Sequence, residues 1–288
     1  MSATAPAPWF ITIIESDMDK SKINLWLLFA AAGMAVFIGY AAFEAGWTEI
    51  TETIVHGKNV PPEFIGKRIV FVADIHCGEG FPVARMGALI EQLNSLNADI
   101  VIFGGDYVSR NGEDTKACFA KLAGIKAPLG KYGVLGNHDI EAGKKETISA
   151  MENAGITLLF NNNRRITIGG GQITVAGTDE TWYGLPDGMK AMEGATDFTI
   201  YTTHDPSYFE KYQNDKAKLL LAGHTHGGQI TFFGIPFSWL VHRHKYRYEK
   251  GIYEESGRTV IVTNGIGATI LPLRFFARPQ INVIILEK

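Results

Sequence analysis

Short apolar runs rich in β-branched residues recur from Lys67 to the C-terminus, each closed by polar or glycine positions. They are Arg68 to Ala73, Asp99 to Phe103, Tyr132 to Leu135, Ile173 to Ala176, Phe198 to Tyr201, Lys218 to Leu221, Thr259 to Val262 and Ile281 to Leu286. These runs lack the apolar and polar alternation of a sheet with one wet face, so they predict strands buried on both faces. Between the first two, Val83, Met86, Leu89, Ile90, Leu93 and Leu96 recur at helical spacing and predict a covering helix. A second helix is expected over Glu141 to Asn153. Gly169 to Gly171 stand between ITI and QITV, which predicts a hairpin turn instead of a phosphate loop. The pattern is that of an α/β domain, with neither a Walker nor a dinucleotide fingerprint.

One stretch departs from this rhythm. Ile23 to Phe43 holds no charged residue, and as a helix it would be about 30 Å long, close to the hydrocarbon thickness of a bilayer. Trp26, Tyr40 and Trp47 stand near its two ends, where amphipathic rings favour the interface. A cleaved signal peptide and a buried core helix are the alternatives. The stretch is longer than a usual signal core, and AAFEAGW fits a small-residue cleavage site only loosely, so an uncleaved single-pass anchor in the cell membrane is expected. Lys20 and Lys22 flank it on one side and Lys58 is the nearest base on the other. That small asymmetry leans toward a cytoplasmic N-terminus and an external catalytic domain. The expected division is a tail over 1–22, the anchor over 23–43, a connector over 44–66 closed by Pro61 and Pro62, and a catalytic domain over 67–288.

Composition narrows the partners. The 288 residues are 46% hydrophobic and 20% charged, enough for a sizeable core, which excludes disorder of the chain as a whole. A net charge of -3 without a long Lys/Arg run gives no footprint for nucleic acid. Two cysteines, Cys77 and Cys118, make no disulfide framework and leave the redox compartment open.

The chemistry gathers where five of the apolar runs end. RIVFVADIH gives Asp74 and His76; DIVIFGGD gives Asp106; YGVLGNHD gives Asn137, His138 and Asp139; FTIYTTHD gives His204; KLLLAGHTHGG gives His224 and His226. The carboxyl edge of an α/β sheet is where such sites form. Residues two apart on extended backbone point the same way, so Asp74 and His76 are expected to share one ion, and His224 and His226 stand in the same relation. Carboxylate, amide oxygen and imidazole together suit divalent manganese, iron or zinc, and the absence of a cysteine cluster argues against structural zinc. The ligand count calls for two ions. A pair about 3.5 to 4 Å apart can clamp a phosphoryl group and supply hydroxide at neutral pH. Asp106 is the natural shared carboxylate. Taken singly, an Asp after a strand is a turn former or cap and a lone His is a satisfied structural residue; five coincident clusters outweigh that reading for the set.

These residues resemble the calcineurin-like metallophosphoesterases, whose pattern runs D-x-H, G-D, G-N-H-D/E, H and G-H-x-H. Here it reads Asp74-Ile-His76, Gly105-Asp106, Gly136-Asn137-His138-Asp139, His204 and Gly223-His224-Thr225-His226. The resemblance implies a four-layer α-β-β-α sandwich of two mixed sheets, here preceded by one transmembrane helix. It also implies two divalent ions per chain, with manganese named first and iron or zinc as alternatives. One ion would be held by Asp74, His76, Asp106 and His226, the other by Asp106, Asn137, His204 and His224. His138 and Asp139 are the catalytic candidates. His138 corresponds to a histidine that contacts phosphate and protonates the leaving oxygen, and Asp139 stands behind the ligands or caps the following helix. The anchor, GHTHGGQ and GIGATILPLRFFARPQ are similar to the membrane-associated bacterial branch with the UDP-2,3-diacylglucosamine pyrophosphatases and related phosphodiesterases.

The substrate is read from what surrounds the motifs. Phe232, Phe233, Phe237, Trp239 and Leu240 stand beside His242, Arg243, His244, Lys245 and Arg247. An apolar wedge beside a basic patch would rest on a bilayer and hold an anionic headgroup; filling of the sandwich edge is the plainer alternative. Leu271 to Arg278 could form the other wall of an acyl cleft. Arg243, Arg247, Arg274 and Arg278 are therefore the expected substrate contacts. The activity this implies is hydrolysis of a phosphodiester or pyrophosphate in a lipid-linked substrate such as UDP-2,3-diacylglucosamine. A phosphomonoesterase acting on protein or small molecule is the alternative, and a non-catalytic scaffold is disfavoured because no ligand is missing.

Overall fold

A computed structural model describes residues 20–236 and 247–288, with the side chains of 20–23 left aside. Most of the expected tail, through residue 19, and part of the expected wedge, residues 237–246, lie outside it. Residues up to Gly39 and those from Tyr40 onward form two units.

The first unit contributes most of helix α1 (Lys20–Glu44). Within its span Asn24–Glu44 an 18-residue window has a mean hydropathy of 2.0, and 6% of that window is buried. That exposure removes the core-helix alternative and leaves a helix long and apolar enough to cross a membrane, as an anchor or a signal.

In the second unit, two six-stranded mixed sheets lie face to face. The first runs β1 (Glu49–His56), β14 (Gln280–Glu287), β2 (Arg68–Val72), β3 (Ile100–Phe103), β4 (Lys131–Gly133) and β5 (Ile156–Leu158). The second runs β12 (Gly251–Glu255), β13 (Arg258–Val262), β9 (Ala217–Ala222), β8 (Thr199–Thr202), β7 (Gly171–Gly177) and β6 (Asn162–Ile168), and the short strands β10 (Thr231–Phe232) and β11 (Ile235–Pro236) pair separately. Alternation along each strand sorts its side chains between layers. Ile69 and Phe71 of β2 enter the core between the sheets with Ile102, Val175, Leu221 and Ile284. Val70 and Val72 face the other way, onto α2 (Met86–Ser95), α3 (Thr115–Leu122) and α5 (Lys144–Asn153) through Leu89, Phe119 and Met151. Behind the second sheet, α6 (Gly188–Ala191) and α7 (Tyr208–Lys211) pack Ala191 and Phe209 against Tyr201 and Val262. The layers are therefore α-β-β-α, as expected.

The expected hairpin at Gly169 to Gly171 joins β6 to β7, with Ile168 opposite Gly171. The expected helix from Glu141 is broken: α4 (Asn137–Glu141) starts earlier, and α5 begins only after Gly143, whose φ is +124°. Residues 44–66 hold more than a connector, because β1 pairs along its length with β14, Glu49 opposite Gln280 and His56 opposite Glu287. Its polarity concealed it. Ile50 and Ile54 are exposed while Thr53 is buried, the reverse of the pattern that marks an edge strand. Cys77 and Cys118 form a buried disulfide across 41 positions, tying the segment after His76 to α3.

Candidate metal centre

The parallel strands β2, β3, β8 and β9 deliver their carboxyl ends to one edge, and Asp74, Asp106, His204 and the pair His224 and His226 follow them directly. Asn137 and His138 open α4, which follows β4. All five clusters converge. Extended backbone is not how they do so: Asp74 and His76 fall in one donor group as expected, but not by strand alternation, and His224 and His226 part, which corrects the expectation for that pair. Asp74 (φ 53°), His76 (47°), Asp106 (53°), His224 (70°) and His226 (53°) all occupy the left-handed region. For residues other than glycine that conformation costs on the order of 1–3 kcal/mol each, and it persists where the surroundings over-determine it. Close packing supplies the constraint. A Cβ on Gly136 would come within 2.1 Å of Asp106 Oδ1, and one on Gly223 within 2.4 Å of Asp74 Oδ2.

Two adjoining groups of donor atoms result. In the first, His76 Nε2 and His226 Nε2 are 3.0 Å apart, and His226 Nε2 is 3.8 Å from Asp74 Oδ1. In the second, Asn137 Oδ1 lies 3.1 Å from both His204 Nε2 and His224 Nδ1, which are 3.2 Å from each other. His224 and His226 thus diverge into different groups. Asp106 Oδ2 stands between, 3.5 Å from His76 Nε2 and 3.4 Å from His204 Nε2. Donor atoms about 2.1 Å from a common ion lie about 3.0 to 3.4 Å apart for right-angle to tetrahedral geometry, so these spacings, apart from the wider one between His226 and Asp74, match ligands around a cation. His204 Nδ1 donates to Gly104 O at 2.7 Å, which fixes the tautomer and leaves Nε2 its lone pair.

Electrostatics point the same way. Asp74, Asp106, His76, His204 and His226 are all buried. In the protein without metal, burial pushes Asp74 up to about 7 and pulls His76 down to about 3. Burial also acts against charge on His204 and Asp106, yet Asp106 holds His204 up to about 10, and that imidazolium holds Asp106 well below the usual carboxylate range. A divalent cation relieves these conflicts, because it takes carboxylates charged and imidazoles neutral. The oxygen and nitrogen donor set fits such ions.

His138 borders the same cavity, its ring edge-on to His76 at 4.7 Å between centroids. It is near enough to His76 and Asp106 to join them in a third potential group. Among the described residues its buried Nδ1 has no hydrogen-bond partner, and burial lowers its pKa. Asp139 faces away from the cavity. Its two oxygens accept from the amides of Gly136 at 2.8 Å, Asp106 at 2.8 Å, Tyr107 at 2.9 Å and Val108 at 3.4 Å. It both caps α4 and grips the turn that carries Asp106, so its work is positioning.

The cavity has a volume of about 400 Å³. Arg110 on its wall is held by Glu141, with Nε 3.0 Å from Oε2, and Glu141 also accepts from the Tyr183 hydroxyl at 2.7 Å. Trp182 stands edge-on to His224 at 4.9 Å and donates from Nε1 to the buried Asp205 at 3.1 Å. Ile270, Leu271 and Pro272 add apolar lining. Arg110 and Trp182 escaped the sequence reading. A search for ligand types at strand ends passes over an arginine four positions beyond Asp106, and nothing periodic marks a lone tryptophan in a loop.

Of the expected arginine contacts, the three among the described residues, Arg247, Arg274 and Arg278, do not line this cavity. Arg274 is 0% exposed, and its guanidinium is spent on carbonyls of Asn264, Gly267, His226 and Ala277. Burial brings its pKa down to about 10, so it stays charged at neutral pH. Arg278 lies over the Trp47 ring at 3.9 Å, and Arg247 pairs with Glu255 at 2.6 Å. Each has found a partner nearer in the fold. Arg243 lies outside the described residues, with Phe237, Trp239, Leu240, His242, His244 and Lys245.

Comparison with known proteins agrees with this geometry. The sequence pattern of the calcineurin-like phosphoesterases matches residues 67–228. The chain is 32% identical over 260 residues to the uncharacterized metallophosphoesterase YkuE of Bacillus subtilis (strain 168), covering 86% of this chain and 89% of that one. It is 28% identical to the phosphodiesterase YaeI of Escherichia coli (strain K12), covering 85% and 91%. It is 26% identical to a transmembrane protein with metallophosphoesterase domain of Bos taurus, over 83% of this chain and 57% of the relative.

Proposed function

The chain belongs to the calcineurin-like phosphoesterase family and is a metallophosphoesterase; from that membership we propose that it hydrolyses a phosphodiester or pyrophosphate bond in a lipid-linked substrate at a membrane surface. The observation that carries this reading is the pair of donor groups joined by Asp106, opening into a cavity with one cationic and one apolar wall. Asp74, His76, Asp106 and His226 would hold one divalent ion, and Asp106, Asn137, His204 and His224 the other, manganese being the first choice. Bound there, the ions would polarise the phosphoryl oxygens and lower the pKa of attacking water toward neutrality.

The chain's own residues supply the rest. His138, with its ring on the cavity, donates a proton to the departing oxygen as general acid. Arg110 is the one permanently cationic side chain among the described residues lining the cavity, and its fork suits two phosphate oxygens at once. Glu141 keeps that fork at the rim. Ile270 and Leu271, 101% and 51% exposed, offer apolar surface to an acyl chain beside the cut bond. Phe232 and Phe233 are also exposed, which suits a surface resting on lipid.

The membrane face bears on the substrate. UDP-2,3-diacylglucosamine would be met in the cytoplasm, whereas the Cys77–Cys118 bridge and the charge flanking α1 favour an external catalytic domain. A lipid-linked phosphodiester without the nucleotide fits both. The test is turnover by the purified full chain in detergent, with and without added manganese. It should cleave bis-p-nitrophenyl phosphate in preference to p-nitrophenyl phosphate and release phosphorylated headgroup from lipid only with metal. Preference for the monoester would favour the phosphomonoesterase alternative, and no turnover with metal bound would overturn the reading.

A further inference from the structure

Arg274 and Glu44 stand outside the cavity, and neither the ligand set nor the proton donor uses them. Arg274 is the largest fully buried side chain among the described residues, and a buried guanidinium is expensive unless its donors are satisfied. Here they are satisfied by backbone carbonyls. Nε donates to Gly267 O at 3.1 Å, and Nη2 donates to the same oxygen and to Asn264 O at 2.7 Å. Nη1 donates to Ala277 O at 2.8 Å and to His226 O at 3.4 Å, and Nη2 lies 3.4 Å from His226 Nδ1. The turn gripped at Gly267 in turn donates to Asp74, with Gly267 N 2.7 Å from Asp74 O. One guanidinium therefore touches His226 directly and Asp74 through a single backbone bond.

The other end of this arrangement is the last turn of α1. Glu44 is 1% exposed, and its carboxylate accepts from the amides of Phe276 at 3.0 Å and Ala277 at 2.7 Å. Arg274 N donates to Ala41 O at 3.0 Å. The segment carrying Arg274 is thus held, at that residue and two and three positions beyond it, by one helical turn.

We infer that Arg274 is a positioning residue for the ion of Asp74, His76 and His226, and that Glu44 holds it in place, so that the final turn of α1 is part of the catalytic unit. The inference rests on the ligand assignment above. It implies selectivity: the groups touched by Arg274 belong to the first donor group, while Asn137, His204 and His224 of the second are not among its contacts. Backbone partners behind metal ligands commonly change affinity by about 10- to 100-fold.

The test is manganese titration of the metal-free full chain in detergent by calorimetry, with thermal unfolding of the same samples, for Arg274→Met, Arg274→Lys and Glu44→Gln. The expected result is two binding steps, one weakened about 10- to 100-fold in Arg274→Met and the other near wild type. Arg274→Lys should fall between, because lysine restores donors without the planar fork, and Glu44→Gln should weaken the same step by a smaller factor. If Arg274→Met does not fold, the two milder variants decide by the same criterion. Unchanged steps in every folded variant, or both steps weakened together with the melting temperature, would overturn the inference. No substrate enters this measurement, so a chain that binds two ions selectively yet cleaves no diester would sink the proposed function alone.

Discussion

The backbone N–H of His138 donates to Asp106 Oδ1 at 2.9 Å, so the residue best placed to give a proton is fastened to the carboxylate that joins the two donor groups. Asp106 uses its other oxygen toward His76 and His204. Backbone, and not the imidazole, makes this link. His138→Ala should therefore keep both ions while turnover falls by roughly 10²-fold or more, as loss of general acid catalysis implies. Metal content and kcat of the same preparation check it. Loss of an ion from His138→Ala would make that imidazole a ligand.

Arg110 touches no member of the donor groups in the described contacts, and its partner is Glu141 at the rim. Arg110→Ala should leave metal content unchanged and lower kcat/KM for a diester by roughly 10- to 100-fold, the loss expected of a charge-assisted bidentate contact. Steady-state kinetics at saturating manganese check this. An unchanged kcat/KM would place Arg110 outside the substrate's reach.

Loading the metal-free centre should release protons. His204, held up to about 10 by Asp106 against the opposing effect of burial, is imidazolium at pH 7.5 in the protein without metal. It must lose that proton to bind an ion, and Asp74, pushed up to about 7 by burial, adds more below neutrality. Apparent affinity should therefore rise with pH, with roughly one proton released per chain at pH 7.5 and more near pH 6. Calorimetry in buffers of different ionisation enthalpy reads this directly. A binding heat that is the same in every buffer would contradict it.

The bridge between Cys77 and Cys118 closes a long loop that begins at the residue after His76. Removing it with Cys77→Ser should lower stability by about 4 kcal/mol, the effect of restoring loop entropy to the unfolded chain. Denaturant unfolding of the variant and of the parent checks this. Protein made in its native compartment should hold no free thiol, and two free thiols there would contradict an external catalytic domain.

Much of the centre was legible because its ligands are polar residues at the ends of strongly apolar strands, a contrast that survives without any structure. The strand-end position of Asp74, Asp106, His204 and His224 follows from burial of the strands before them. What stayed hidden depends on tertiary context. Left-handed backbone at Asp74 and His226 has no compositional mark when the residue is not glycine, so the alternation rule paired His224 with His226 although they part. Arginine reads as a surface or phosphate residue, and only carbonyls brought together from distant segments make Arg274 a buried brace. β1 was masked by threonines facing in and isoleucines facing out.

A two-ion centre requires above all that Asp106 serve both donor groups. Elemental analysis of the purified full chain beside Asp106→Ala tests this most directly. Two divalent ions are expected in the parent, essentially none in the variant, and phosphodiester turnover should be lost with them. An Asp106→Ala chain that folds and still carries both ions would contradict it.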